Sequence, residues 1–256
     1  MTNEIKPLVP LSTDTERLEE LAKELLDETP LPVTPAALAV QSTQDYWKVS
    51  GVNYKNGIYT VELAKSLLDS GNAKTQDNWA KYTEQAKQNG NFYTGDMPLY
   101  HSLFTALFRQ KNNRESEEAR TFIQKQMRDK WLMTLTRIAY QPKGDDLVIH
   151  NYGTKDKYEA KSLVVGADRI IKSGDSKALE AILGTGNIQE INSVYNWINQ
   201  TPAYIWRVNS NPSKVDERVA RFNADADWVN LYCSRDPAGS YPSLGVRLAR
   251  EARAKK

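Results

Sequence analysis

His101, His150 and Cys233 are the only histidines and the only cysteine in this chain. A catalytic cysteine needs a base or a helix N-terminus beside it to lower its pKa, and nothing in the sequence around Cys233 signals either. His101 falls on a segment whose apolar face carries Leu99 and Leu103, and His150 sits inside the strand-like run LVIHNY. Both read as structural or surface histidines rather than general bases. The signatures G-x-x-x-x-G-K-[ST], G-x-G-x-x-G, H-E-x-x-H and G-x-S-x-G do not occur, and the phosphate-loop mimic Gly184 to Asn187 lacks the lysine that would follow it. A single cysteine excludes an intrachain disulfide framework and any multi-cysteine zinc site. Calcium held by Asp and Asn oxygens is the one metal chemistry left open. The expectation is a protein without catalysis, metal or cofactor.

Binding chemistry is better represented. The stretch Asn223 to Ser243 reads NADADWVNLYCSRDPAGSYPS, in a chain that otherwise relies on Lys, Glu and Gln. Those three types make up 47 of 256 residues, so the 25 positions from 222 to 246 should hold four or five, and they hold none. Tyr offers a large contact area with few rotors to freeze, and Ser, Gly and Asn offer adaptable hydrogen bonding, as in antibody binding loops. Ordering a long Lys or Glu side chain in an interface costs roughly 1.5 to 2 kcal/mol. The same polar types also favour turns for local reasons, but Tyr232, Tyr241 and the missing lysines favour a binding surface over an ordinary loop.

The rest of the composition narrows the class. Forty per cent apolar residues with six Trp and thirteen Tyr make a globular chain. The net charge of +2 comes from 34 basic and 32 acidic residues spread along the sequence, which gives no footprint for nucleic acid, and the basic end reads as a solvated tail. The start MTNEIKPLVPL has no charged region followed by an apolar run, and nowhere do eighteen apolar residues follow one another. A soluble protein without signal peptide or membrane insertion is expected.

The elements that must position these residues can be read from their periods. Thr13 and Glu16 form a capping-box pattern ahead of Leu18, Leu21, Ala22, Leu25 and Leu26 at helical spacing. That helix could also serve as the partner face of a homo-oligomer. Pro30, Pro32 and Pro35 then mark a linker, so residues 1–40 are taken as helix and Pro-rich linker and 41–256 as one domain. Residues 45–60 predict a hairpin around Asn56-Gly57. VELAKSLLDSG, TQDNWAKYTEQAKQNG, DMPLYHSLFTALFRQKN and ESEEARTFIQKQMRDKWLM predict helices, the first two closed by Gly. TLTRIAYQ, DLVIHNYG and YEAKSLVVGAD predict three short strands, and SKALEAILGTGNIQEINSVYNWINQ reads as helical or turn-rich. YIWRV, WVNLYC and LGVRLA predict further strands joined by long polar loops. Helices followed by a strand-rich second half indicate an α+β fold. Trp206, Val208, Trp228, Leu231, Leu244, Val246 and Leu248 are expected in the core.

Three terminal signatures, IWRV at 205–208, the run holding Arg235 and Pro237, and LGVRLA at 244–249, resemble the end of the C-type lectin fold in its formylglycine-generating-enzyme-like form. The Gly-Gly-Ser-Trp turn usual after the first is replaced by NSNPSKVDERVARF. Within that fold the segment of about 222–246 looks like the variable region of a diversity-generating retroelement target protein, viral or prokaryotic. In that family, adenines of a template repeat are copied mutagenically, and Asn codons ending in a pyrimidine scatter over Asn, Asp, Ser, Tyr, Gly, Ala and Cys without reaching Lys, Glu, Gln, Met or Trp. The resemblance implies diversified, ligand-binding positions at Asp225, Asp227, Asn230, Tyr232, Ser234, Asp236, Gly239, Ser240, Tyr241 and Ser243. Between them lie the fixed Trp228, Leu231, Arg235, Pro237, Leu244 and Gly245. The diversified side chains are expected to be exposed on one face and to recognise a protein or another surface macromolecule, with a virion or cell surface as a compatible location. The alternative is a calcium-dependent carbohydrate-binding lectin, suggested by Trp228, Asn230 and Cys233 but lacking that group's Glu-Pro-Asn or Gln-Pro-Asp motif and its disulfides. A formylglycine-generating-type oxidase would need paired cysteines.

Overall fold

In a computed structural model describing residues 38–208 and 212–250, strands Val40–Ser42 (β1), Tyr46–Tyr54 (β2) and Gly57–Leu67 (β3) run antiparallel. The hairpin expected around Asn56-Gly57 is present, but its turn falls one residue earlier, on Lys55 and Asn56, with Lys55 in the left-handed region at φ 52° and Gly57 already paired with Tyr54. The expected N-terminal helix and the Pro30–Pro35 linker lie outside the described residues.

β3 corrects one expectation. VELAKSL has leucines at a spacing that suits a helix, but it is strand: Val61 and Leu63 are fully buried while Glu62 between them is not. Pairing on both edges overrides the local helical preference, because β3 lies between β2 and the last strand, Leu244–Arg250 (β11). The chain's last described strand therefore closes the first sheet, in the order β1-β2-β3-β11.

Three helices follow: Gln76–Gln88 (α1), Met97–Arg109 (α2) and Arg114–Asp129 (α3). Each is capped by a side-chain oxygen that accepts an otherwise unpaired backbone N–H: Thr75 from Asn78, Asp96 from Leu99 and Asn113 from Glu115. Helix α2 carries the largest apolar load, with Leu99, Tyr100, Leu103, Phe104 and Leu107 all buried. Burying each such side chain contributes roughly 1.5 to 3 kcal/mol before conformational entropy is subtracted.

The second sheet has seven strands: Leu132–Tyr140 (β4), Asp146–His150 (β5), Tyr158–Ser162 (β6), Arg169–Ile170 (β7), Ala203–Trp206 (β8), Asp216–Ala224 (β9) and Val229–Arg235 (β10). Helices Ser176–Leu183 (α4) and Ile188–Asn199 (α5) are inserted before β8. The strand order is β6-β5-β4-β9-β10-β8-β7, and β8 with β10 is its parallel pair. β9 corrects a second expectation, that of a long polar loop over DERVARF. It is a central strand between β4 and β10, and its residues from Val219 to Ala224 are all buried. The fold is thus α+β.

Phe222 joins the sheet to α2, its ring 5.8 Å from Phe104 and 6.3 Å from Tyr100. Of the seven residues expected in the core, Leu231, Leu244 and Val246 are fully buried. Trp206, Val208, Trp228 and Leu248 are half-buried. The pleat explains Trp206: in β8, Ala203 and Ile205 face the core, which turns Tyr204 and Trp206 to the opposite face.

Candidate functional site

The same pleat sorts β10. Leu231 and Cys233 enter the apolar core, so Asn230, Tyr232 and Ser234 share the outward face. Parallel pairing sets Asn230 against Tyr204 and Tyr232 against Trp206. A continuous row of rings results. Trp228 lies 5.3 Å from Tyr204, Tyr204 4.9 Å from Trp206, and Trp206 is stacked on Tyr232 at 5.6 Å. Trp131, between α3 and β4, then stacks on both Tyr232, at 5.5 Å, and Tyr241, at 5.8 Å.

Polar bonds hold one end of the row. The Trp206 indole N–H donates to Asn230 Oδ1 (2.7 Å), and Asn230 Nδ2 donates to Asn223 Oδ1 (2.9 Å) and Asp225 Oδ2 (2.8 Å). Asp225 Oδ1 accepts the backbone N–H groups of Asp227 and Trp228, which fixes the β9–β10 turn. Burial alone would raise the Asp225 carboxyl, but these bonds outweigh it and hold its pKa below the ordinary value. At the other end, the backbone of Tyr241 exchanges two hydrogen bonds with Lys74, and its carbonyl accepts the Trp79 indole N–H (2.7 Å). Gly239 leaves room for the Tyr241 ring, because a Cβ there would come within 2.7 Å of it.

Ten positions were expected to be diversified, and the fold brings Asp225, Asn230, Tyr232, Gly239 and Tyr241 into this one connected surface. Ser234 joins them on the outward face of β10. Asp227, Asp236 and Ser240 are exposed in the flanking turns. Exposure is corrected at three positions. Asn230 is fully buried by its own hydrogen bonds, and Tyr232 is only 7% exposed between two tryptophans. Ser243 is fully buried away from this face, with its hydroxyl donating to the Met133 carbonyl (3.1 Å) near the Tyr100 hydroxyl.

Two arginines stand among the rings. The Arg221 guanidinium carbon lies 3.7 Å from the Tyr241 ring centre and 4.5 Å from that of Trp131; that of Arg235 lies 4.5 Å from Trp131 and 4.4 Å from Tyr232. Arg221 is fully buried, and among the described residues none of its three guanidinium nitrogens has a hydrogen-bond acceptor. Burial brings its pKa down to about 10, assisted by the charge of Arg235; the Tyr241 oxygen is near enough to favour the charged form without meeting hydrogen-bond geometry. Arg221 is not among the residues expected at the site because its charged strand, β9, reads as a loop in the sequence, and Trp131 is not because it follows a helical period. The alternation of Tyr204 and Trp206 with Ala203 and Ile205 is the sequence signal for an aromatic face on the side of the sheet opposite the core.

The reactive residues lie elsewhere. Burial pushes the Cys233 thiol up to about 12, the opposite of what a nucleophile needs. His101 is brought down to about 4 by burial alone. A cavity of about 400 Å³ is lined by His101, Thr105, Arg109, His150 and Glu190 among others, and includes none of the ten candidate positions. Among the described residues no cluster of three His, Cys, Asp or Glu could hold a metal ion, and no helix is long and apolar enough to cross a membrane. No protein family, curated protein or solved structure gives a match to this chain.

Proposed function

We propose that this chain is a ligand-binding protein of C-type lectin architecture, displaying diversified side chains from about 222 to 246 in the manner of diversity-generating retroelement variable proteins. The observation that carries the reading is the coincidence of two independent facts. The segment devoid of Lys, Glu, Gln and Met contributes Asp225, Asn230, Tyr232 and Tyr241 to one connected aromatic and polar face, and the framework beneath it is a hydrogen-bonded sheet. The LGVRLA signature of the resemblance forms β11, paired to β3, which supports the lectin-type architecture. Rigid strands carrying adaptable side chains suit recognition of a macromolecular surface, here that of a protein, and the reading involves no catalytic step. The calcium-dependent alternative gains nothing from the geometry: Asn230 spends its whole amide on Trp206, Asn223 and Asp225, and Cys233 faces the core.

The test is the DNA flanking the gene. A near-copy of the segment encoding 222–246, differing only at adenines and lying beside a reverse transcriptase gene, is the expected finding. A flank without such a repeat overturns the retroelement reading.

A further inference from the structure

Arg221 carries five N–H donors into a site where the described residues give it no acceptor and no carboxylate. Leaving a charge buried and unpaired is costly, and cation–π contact with three rings offsets only part of that cost. The nearest other charge makes matters worse, because it is a second arginine. Arg235 is half-exposed, its Nε is buried without a partner, and its guanidinium shares the Trp131 and Tyr232 rings with Arg221. Elsewhere in the molecule buried arginines are neutralised: Arg137 reaches Asp77 and Glu217, and Arg207 reaches Asp175 at 2.6 Å. Two adjacent guanidiniums without an acid, on the face already described, form half of an ion pair.

We propose that Arg221 and Arg235, walled by Trp131, Tyr232 and Tyr241, form a subsite for a carboxylate side chain of a protein ligand. This rests on the reading of the aromatic face as the ligand-binding surface and adds its specificity. The planar guanidinium edge matches the two oxygens of a carboxylate, and the aromatic walls suit the apolar stem of an Asp or Glu. A free phosphate, more strongly hydrated and with more oxygens to satisfy, would find few donors beyond the arginines and two tyrosine hydroxyls. Entry requires movement of one side chain. Arg235 is the accessible member and makes first contact. The Tyr241 ring covers Arg221 and is half-buried, so the proposal requires it to turn outward while its backbone stays paired with Lys74.

The experiment titrates the full chain at low ionic strength with acetyl-hexaglutamate amide, acetyl-hexaglutamine amide and inorganic phosphate, reading tryptophan fluorescence. The hexaglutamate is expected to bind saturably and the hexaglutamine not to bind. Arg235→Gln and Arg221→Met should each weaken hexaglutamate at least tenfold, while Arg218→Gln, on the same strand but paired with Asp216, should leave it within twofold. Arg221→Met should also melt no lower than the parent, since an apolar chain of similar length replaces an unpaired buried charge. If Arg221→Met does not fold, Arg235→Gln decides. Absence of hexaglutamate binding, equal binding by parent and Arg235→Gln, or binding of phosphate alone overturns the proposal. Each of those results leaves the flanking-repeat test of the binding-face reading untouched, so the two can fail separately.

Discussion

Arg137 and Arg221 lie on neighbouring strands of one sheet, both buried, and they are partnered in opposite ways. Arg137 on β4 donates to Gln76 Oε1 (2.8 Å), Asp77 (2.8 Å) and Glu217 (2.9 Å), bonds the Tyr152 hydroxyl and lies over that ring at 3.5 Å. Arg221 on β9 has rings and, among the described residues, no acceptor. The first pattern is what stability demands of a buried charge. The second makes sense when a buried group is kept for a partner outside the chain, because satisfied groups have nothing left to offer a ligand.

The largest effect tests the framework side. Arg137→Met should destabilise by about 3 kcal/mol, at the low end of the range for breaking a buried pair because Asp77 and Glu217 are half-exposed and regain water. The buried Gln76 Oε1 loses its donor, which is where most of the cost arises. Denaturant midpoints of Arg137→Met and Arg221→Met, measured side by side, should fall for the first and hold or rise for the second. The comparison breaks if both fall by similar amounts.

The histidines repeat the contrast on a smaller scale. His150 has partners on both ring nitrogens, the Thr136 hydroxyl at 3.0 Å and the Ala181 carbonyl at 2.8 Å. His101 contacts the Tyr195 hydroxyl at 3.3 Å through Nδ1, and its buried Nε2 has no partner among the described residues. Burial lowers both pKa values, but for His150 the nearby Asp96 charge and the Ala181 carbonyl oppose the shift. A folded pKa below the unfolded value means that the unfolded chain binds the extra proton. The stability is therefore fully present above about pH 6.5 and is lost as pH falls towards about 4. At pH 5 the contribution of His101 should have dropped by about 2 kcal/mol relative to pH 7. Unfolding curves at the two pH values for the parent and for His101→Gln check this, and a variant as acid-sensitive as the parent removes His101 as the cause.

Legibility in the sequence followed the same divide. Where period and capping agreed, as in α1, α2, α3 and the hairpin at Lys55–Asn56, the elements lie where their residues indicated. It failed where tertiary pairing chose between two periods, as in VELAKSL, and where a central strand is written in charged letters, as in Asp216–Arg221. The second failure hid the site. A strand bearing Glu217, Arg218 and Arg221 looks like a loop until β4 and β10 are seen on either side of it. The candidate segment was legible from composition, but composition does not distinguish an Asn that caps a network, as Asn230 does, from one that is free to vary.

The smallest effect therefore sharpens the comparison most. Asp227, Ser234 and Ser240 are exposed or half-exposed, and among the described residues their side chains hold no part of the networks that fix Asp225, Asn230 and Ser243. Ser243, drawn from the same composition, is fully buried, with its hydroxyl bonded to Met133. Replacing Asp227, Ser234 or Ser240 singly by Tyr should change stability by no more than about 0.5 kcal/mol, the usual range for surface positions. The same replacement at Ser243 inserts a ring into packed core and should cost about 1 to 3 kcal/mol or more, plus the lost bond. Thermal melts of the four variants give the answer. If Asp227, Ser234 and Ser240 prove as intolerant as Ser243, the face is ordinary framework, and its missing lysines reflect packing rather than a surface built to change.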